Sequence, residues 1–358
     1  MTMEFEPACR RMEWLDPFYK RVWEKAYADA IPISGTFELT PRCNFNCPMC
    51  YVHLQEDQIP KYGGELTAKE WIRLAQEAKE AGTVWLCITG GEPLLYPEFQ
   101  TVYEELSQMG FFLTLQTNGY LLCRPEIIRL LEKWPPKTVK ITLYGSNDGV
   151  YQDVCKISQG FTKVDQGIQQ LREMEIPVQL VSTLIRQNAD DIKGMVTYAL
   201  TNKLPLAGTG NLYSSVRGAN TDVNGVRVLE KVEEERKKRI QYRLEHPVDI
   251  NRKPCTYCKD YRIGYWITWN GRMRFCGFMN EPNIGVEGVP FQEAWKQLVQ
   301  YEENLTWPKE CMTCKVNKVC VKCAGTLAAE CGSVHSISES FCSRVKKYYD
   351  EERDRWKI

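Results

Sequence analysis

Cys43-Asn-Phe-Asn-Cys47-Pro-Met-Cys50-Tyr51 is the stretch around which the rest of the chain can be read. Three thiols stand with gaps of three and two residues, directly after the short apolar run Thr36–Leu39. That spacing lets one loop wrap a metal group from one side. No fourth ligand closes the shell nearby, and an unfinished shell leaves a position for a substrate. A zinc site completed by His53 is one reading. Thiolates equally suit an iron–sulfur cluster, in which an iron without a protein ligand is open to chemistry.

Outward from this loop, short apolar runs alternate with helical stripes. The strand-like runs are Thr36–Leu39, Val84–Thr89, Phe111–Thr117, Val139–Leu143, Val178–Leu184 and Leu206–Asn211. Between them Trp71, Leu74, Ala75 and Ala78, then Phe99, Val102, Tyr103 and Leu106, then Val164, Ile168 and Leu171 recur at helical spacing. Thr67 with Glu70 three residues later reads as a capping box at the first of these helices. Repeated strand–helix units imply parallel strands with helices outside and right-handed crossovers. Six units are too few to close an eight-stranded barrel, so the expectation is an α/β fold built on an open, partial (β/α)6 TIM-like barrel. Its functional groups should sit on loops after the strands' C-terminal ends.

The expected organisation is an N-terminal extension over 1–34, the partial barrel over 35–212, a connecting helical segment over 213–254 and a cysteine-rich domain over 255–358. Leu229 to His246 is highly charged and reads as a solvated surface helix. From Cys255 onward periodicity fades and cysteines set the spacing, the character of a small domain held by metal rather than by an apolar core.

Composition narrows the function classes. At ~150 residues per domain, 358 residues make two domains or one large barrel with an appendage. A hydrophobic content of 43% supports a sizeable core. The 46 basic and 46 acidic side chains cancel, which disfavours nucleic acid as the main partner. No apolar run approaches the ~20 residues of a membrane span, and the first residues carry acids rather than a signal core. A soluble, cytoplasmic protein is expected. Sixteen cysteines, three between Cys43 and Cys50 and nine from Cys255 to Cys342, favour metal binding over disulfides in a reducing compartment. Only three histidines occur, and neither a G-x-S-x-G elbow nor an H-E-x-x-H helix appears.

The C-x3-C-x2-C spacing followed by an aromatic residue resembles the signature of radical S-adenosylmethionine (radical SAM) enzymes. The resemblance implies that Cys43, Cys47 and Cys50 hold a 4Fe–4S cluster whose fourth iron is chelated by the amino and carboxylate groups of SAM, with Tyr51 near the adenine. Gly90-Gly91-Glu92, after the second strand, is similar to the family's GGE motif, in which the acid meets the methionyl amino group. Read alone, the two glycines form a turn, or let the backbone approach a ligand closely. Thr117 and Asn118 end the third strand and Ser146 follows the fourth, where the family often places polar SAM contacts. Ser182 and Thr183 are weaker candidates, because strand hydroxyls often only satisfy backbone groups.

The C-terminal cysteines resemble the SPASM domain, which carries two auxiliary 4Fe–4S clusters. Carried over, Cys255, Cys258, Cys276 and Cys323 hold the first cluster and Cys311, Cys314, Cys320 and Cys342 the second. The usual pattern has three residues between the third and fourth cysteines of the second group, where this chain has two between Cys320 and Cys323. Cys331 could therefore replace Cys342 or Cys323. A pair of four-cysteine zinc sites is the rival reading, because C-x2-C knuckles are generic zinc signals. Otherwise Cys9, Cys87, Cys123, Cys155 and Cys331 remain as spare thiols.

The resemblance implies an oxidoreductase that cleaves SAM to a 5′-deoxyadenosyl radical and oxidatively modifies a substrate C–H bond. The expected substrate is a ribosomally made peptide receiving a thioether or carbon–carbon cross-link. Flavodoxin or ferredoxin is the expected electron donor, and neither nucleic acid nor membrane is an expected partner. Sulfatase maturation and small-molecule modification are alternatives. Maturases of sulfatases often carry an acid where this chain has Gly277. From another class, an iron–sulfur electron carrier or a zinc-stabilised binding module has the same cysteine content.

Overall fold

The computed structural model describes residues 17–209, 212–249, 251–254, 264–320 and 322–355. Its centre is one sheet with six parallel strands, β1 (Ser34–Glu38), β2 (Trp85–Thr89), β3 (Phe112–Thr117), β4 (Thr138–Thr142), β5 (Val178–Thr183) and β6 (Leu206–Thr209). All six lie within a few residues of the expected runs. Three further strands, β7 (Gly264–Thr268), β8 (Arg272–Arg274) and β9 (Ile284–Gly285), extend the sheet in the order β6-β5-β4-β3-β2-β1-β7-β8-β9.

Strand alternation explains the layering. Phe37, Ile88, Leu115, Ile141 and Leu180 are fully buried under the helices, with Phe37 and Trp71 ring centroids 4.8 Å apart. Thr36, Cys87 and Thr114 are in register and only half-buried, as are Gln116, Lys140 and Gln179. These positions alternate with the buried set and so face away from the helices, onto the polar inner face of the open barrel. All three expected helical stripes are buried, on helices Ala68–Glu80, Phe99–Gln108 and Gly160–Glu173. Only half of the capping box forms. Thr67 accepts from the Glu70 N–H at 3.3 Å, while the Glu70 carboxylate pairs with Arg73 at 2.9 Å.

Two expectations are corrected. The C-terminal region does have apolar cores. Phe291, Ala294, Trp295 and Leu298, on helix Phe291–Asn304, join the barrel's own core. A second core gathers Trp307, Val316, Val319, Leu327, Phe341, Val345 and Tyr348. Nor is the charged helix Leu229–Glu245 simply solvated: Ile240 enters that second core, and Lys237 pairs with Glu351 at 2.8 Å. The apolar side chains come from several short segments separated by cysteines, so no single segment shows a long period. Ahead of β1, helix Pro17–Ala28 packs Trp23 on Trp85 at 4.8 Å. Among the described residues no helix is long and apolar enough to cross a membrane.

Candidate active site

The cysteine loop leaves β1 and is fastened to the segment after β2 by backbone hydrogen bonds. Gly91 N–H donates to Thr40 O and Glu92 N–H to Arg42 O, both at 2.7 Å. A Cβ on Gly90 would lie 2.6 Å from Thr40 O, and one on Gly91 2.4 Å from Arg42 O. The glycines therefore let two backbones touch. On the side where a Cβ would point, the space is filled by the loop itself.

Cys47 is buried, and Cys43 and Cys50 are half-buried. The Cys43 sulfur accepts from Phe45 N–H at 3.4 Å and from Asn118 Nδ2 at 3.7 Å, and the Cys50 sulfur from His53 N–H at 3.3 Å. Burial, and then the neighbouring Cys47, push the Cys50 thiol up to about 11. Burial and Cys50 raise Cys43 well above the ordinary thiol range. Metal ligation is what deprotonates such thiols, and donated N–H bonds suit the resulting thiolates. Among the described residues no three His, Cys, Asp or Glu side chains converge tightly enough to grip a single metal ion. A four-iron cluster instead takes its thiolates on separate irons. The donor set is all-sulfur and fits that group.

Glu92 is fully buried. Its carboxylate accepts from Thr117 Oγ1 at 2.8 and 2.9 Å, from Asn118 N–H at 2.8 Å and from Leu94 N–H at 3.1 Å. Burial nevertheless pushes its carboxyl up to about 7, so a cationic group beside it would be matched by renewed ionisation. Asn118 also donates to Asn44 Oδ1 at 2.9 Å, tying β3 to the cysteine loop. Ser146 is held by Asp191, its hydroxyl donating to Oδ1 at 2.6 Å. Ser182 is buried beside the Met195 sulfur at 3.5 Å.

Tyr51 packs on Phe278 at 4.8 Å, and Phe278 stacks on Tyr213 at 4.0 Å. Beside them Glu38 accepts from Arg217 Nη2 at 2.7 Å and from Trp266 Nε1 at 3.0 Å, and Arg217 Nη1 donates to Gly277 O at 2.8 Å. Glu38 and Arg217 escaped the sequence reading. The one available signal was a carboxylate closing an otherwise uncharged strand.

Of the first expected C-terminal set, Cys276 and Cys323 come together. A Cβ on Gly325 would stand 3.7 Å from the Cys276 sulfur and 4.0 Å from that of Cys323. Cys255 and Cys258 lie outside the described residues, as does Cys9. The Cys323 sulfur accepts from Thr326 N–H at 3.3 Å, capping helix Ala324–Cys331. Cys311, Cys314, Cys320 and Cys342 line one cavity. Cys331 does not line it, although its thiol feels the charge of Cys342.

Residues 37–199 match the radical SAM superfamily, so the partial barrel is a radical SAM domain. The chain is similar to radical SAM enzymes, peptide-modifying members among them. It is 25% identical over 341 residues to an AdoMet-dependent heme synthase of Methanosarcina barkeri, covering 86% of this chain and 95% of that protein. It is 25% identical over 170 residues to a PqqA peptide cyclase of Bradyrhizobium diazoefficiens, covering 48% of this chain and 44% of the cyclase. Its fold matches Streptococcus suis SuiB bound to precursor peptide SuiA with a TM-score of 0.62 and 18% identity, over 92% of this chain and 82% of SuiB.

Proposed function

We propose that the chain is a radical SAM oxidoreductase that oxidatively modifies a C–H bond in a ribosomally made peptide, installing a thioether or carbon–carbon cross-link. The observation that carries this reading is the docking of Gly90-Gly91-Glu92 onto the cysteine loop, together with the meeting of Cys276 and Cys323. Cys43, Cys47 and Cys50 would hold the 4Fe–4S cluster that binds SAM. Cys276 and Cys323, with Cys255 and Cys258, would hold a first auxiliary cluster, and Cys311, Cys314, Cys320 and Cys342 a second. When bound, the cluster at Cys43, Cys47 and Cys50 would supply the electron for reductive cleavage of SAM, the source of the radical that takes the substrate hydrogen.

The chain's own residues do the positioning. Glu92, braced by Thr117 and Asn118, offers a carboxylate to the methionyl ammonium. Tyr51, Phe278 and Tyr213 pack into an aromatic wall beside the cysteine loop. The half-buried polar inner face of the barrel provides hydrogen-bonding groups for a peptide backbone. A low-potential donor such as flavodoxin or ferredoxin would deliver electrons in a reducing cytoplasm.

A second reading, small-molecule modification, is favoured by one observation: the relative matched over 95% of its own length is a heme synthase. Sulfatase maturation is less supported, because a side chain at Gly277 would meet the Trp266 indole at 2.7 Å, leaving no room for an acid. Anaerobically reconstituted protein given SAM and dithionite should release 5′-deoxyadenosine, and a candidate peptide should lose two hydrogens by mass. No 5′-deoxyadenosine would leave an iron–sulfur carrier or a zinc module instead.

A further inference from the structure

Lys322 lines the C-terminal cysteine cavity and carries a buried ammonium group behind its wall. The residue is 4% exposed. Its Nζ donates to Asn317 Oδ1 at 2.5 Å and stands 4.9 Å from the centre of the Trp307 ring. Both Lys322 and Asn317 line the cavity with Cys311, Cys314, Cys320 and Cys342. Asn317 is 2% exposed, and its Nδ2 is a buried donor with no hydrogen-bond partner. Arg252 adds a second buried cation nearby, donating to Asn317 O at 3.5 Å and Cys320 O at 3.3 Å.

Burying an ammonium is costly unless a counter-charge faces it. Burial holds the Lys322 ammonium below its ordinary value, and the charges that bear on it most are those of Cys320, Arg252, Cys311 and Cys314. Of these only the sulfurs can turn negative, and metal ligation is what makes them so. A buried cation, an idle amide donor and four thiols around one cavity are complementary to an anionic group.

We propose that Lys322 sets the reduction potential of the iron–sulfur group held by Cys311, Cys314, Cys320 and Cys342, by stabilising its more negative, reduced state. This rests on the reading that the cavity holds such a group. A fixed positive charge favours an added electron, and does so more strongly where water is excluded than at the surface. Lys346 also lines this cavity, but as an exposed residue, and so separates a screened from a buried charge. It acts on the Cys342 thiol from an exposed position, where salt screens it.

The test is a potentiometric EPR titration of the anaerobically reconstituted full chain, with iron counted in the same samples. The signal of this site is the one lost in the Cys311→Ala/Cys314→Ala variant. Lys322→Met should keep the wild-type iron and shift the oxidised-to-reduced ratio at least tenfold toward oxidised, about 59 mV for a one-electron couple. Lys322→Arg should stay close to wild type. Lys346→Met should shift less, and its shift should vanish in high salt. Full iron with an unchanged midpoint in Lys322→Met overturns the inference and leaves the cluster reading intact. An equal, salt-resistant shift in Lys346→Met overturns it as well. If Lys322→Met loses this iron, Lys322→Gln keeps a donor for Asn317 and carries the same expected shift. Iron lost from both overturns the inference, since the residue then builds the site rather than tunes it. Wild-type protein without iron at these four cysteines removes the underlying reading, and the inference with it.

Discussion

Glu38 and Arg217 meet at 2.7 Å with side chains 0% and 2% exposed, joining the strand that leads into the first cysteine group to the carbonyl that follows Cys276. One buried ion pair thus fastens the two cysteine groups to each other, across 179 residues of chain. Burial raises the Glu38 carboxyl despite Arg217 and Trp266. Removing one partner of such a pair strands the other without compensation. Arg217→Met should therefore cost about 3–5 kcal/mol in denaturant unfolding. Glu38→Gln/Arg217→Met should cost clearly less. A double variant as unstable as the single one would show that the lost packing, rather than the lost charge, matters.

Glu92 makes a pH-dependent contribution. Its carboxyl is held at about 7 against an ordinary value of 4.5, so the folded chain binds this proton more tightly than the unfolded one. The stabilisation is complete below the unfolded value and is lost as pH rises toward 7. The loss should be about 3 kcal/mol, seen by chemical unfolding between pH 4.5 and 7. Glu92→Gln should flatten that slope. An equally steep slope in the variant would assign it to another group.

The same residue should govern SAM binding. Glu92→Gln loses the charge offered to the methionyl ammonium, and a charge-assisted hydrogen bond is worth roughly 1.5–3 kcal/mol, so affinity should fall about ten- to a hundred-fold. Wild-type affinity should rise as pH passes through about 7, where Glu92 ionises. Calorimetric titration at two pH values checks both. Undiminished binding by a folded variant removes Glu92 from the site.

Gly91→Ala drives a methyl group against the carbonyls of Arg42 and Pro41, at 2.4 and 2.7 Å. Overpacking of this kind costs roughly 1–3 kcal/mol, and here it falls on the docking of the cysteine loop. Wild-type chain should carry about twelve irons in three clusters, and Gly91→Ala about eight, as should the chain with Cys43, Cys47 and Cys50 replaced by Ala. Stoichiometric zinc with little iron in anaerobically purified protein would overturn all three cluster assignments.

Cys342 lines the C-terminal cavity and Cys331 does not. Cys342→Ala should lose iron and substrate turnover while keeping SAM cleavage without substrate. Cys331→Ala should match wild type in iron count and Mössbauer spectrum. The reverse pattern would exchange the two ligands and leave the radical SAM reading standing.

The barrel strands were legible because apolar runs and helical stripes are local, and each depends on residues a few positions apart. The first cysteine group was legible for the same reason, since its spacing fits within one loop. Asn118 was expected near SAM, but its hydrogen bonds to Asn44 and the Cys43 sulfur reach across 74 and 75 residues. The place of Ser146 at a strand end is legible in the sequence, whereas its engagement by Asp191 needs the helix that begins at Ile192.

By itself, then, the amino-acid order determined what spacing can encode: six strand–helix units, a three-thiol loop, a Gly-Gly-Glu turn and a C-terminal series of thiols. Tertiary structure decided what depends on residues distant in the chain. It set β7 against β1, pairing Ser34 with Gly264, and gathered a second apolar core from helices separated by loops and cysteines. It also buried Glu38 against Arg217, and Lys322 against Asn317 and Trp307. The physical reason is that burial, pairing and charge compensation belong to surfaces that meet only after the chain has folded, and no local pattern records which surfaces those will be.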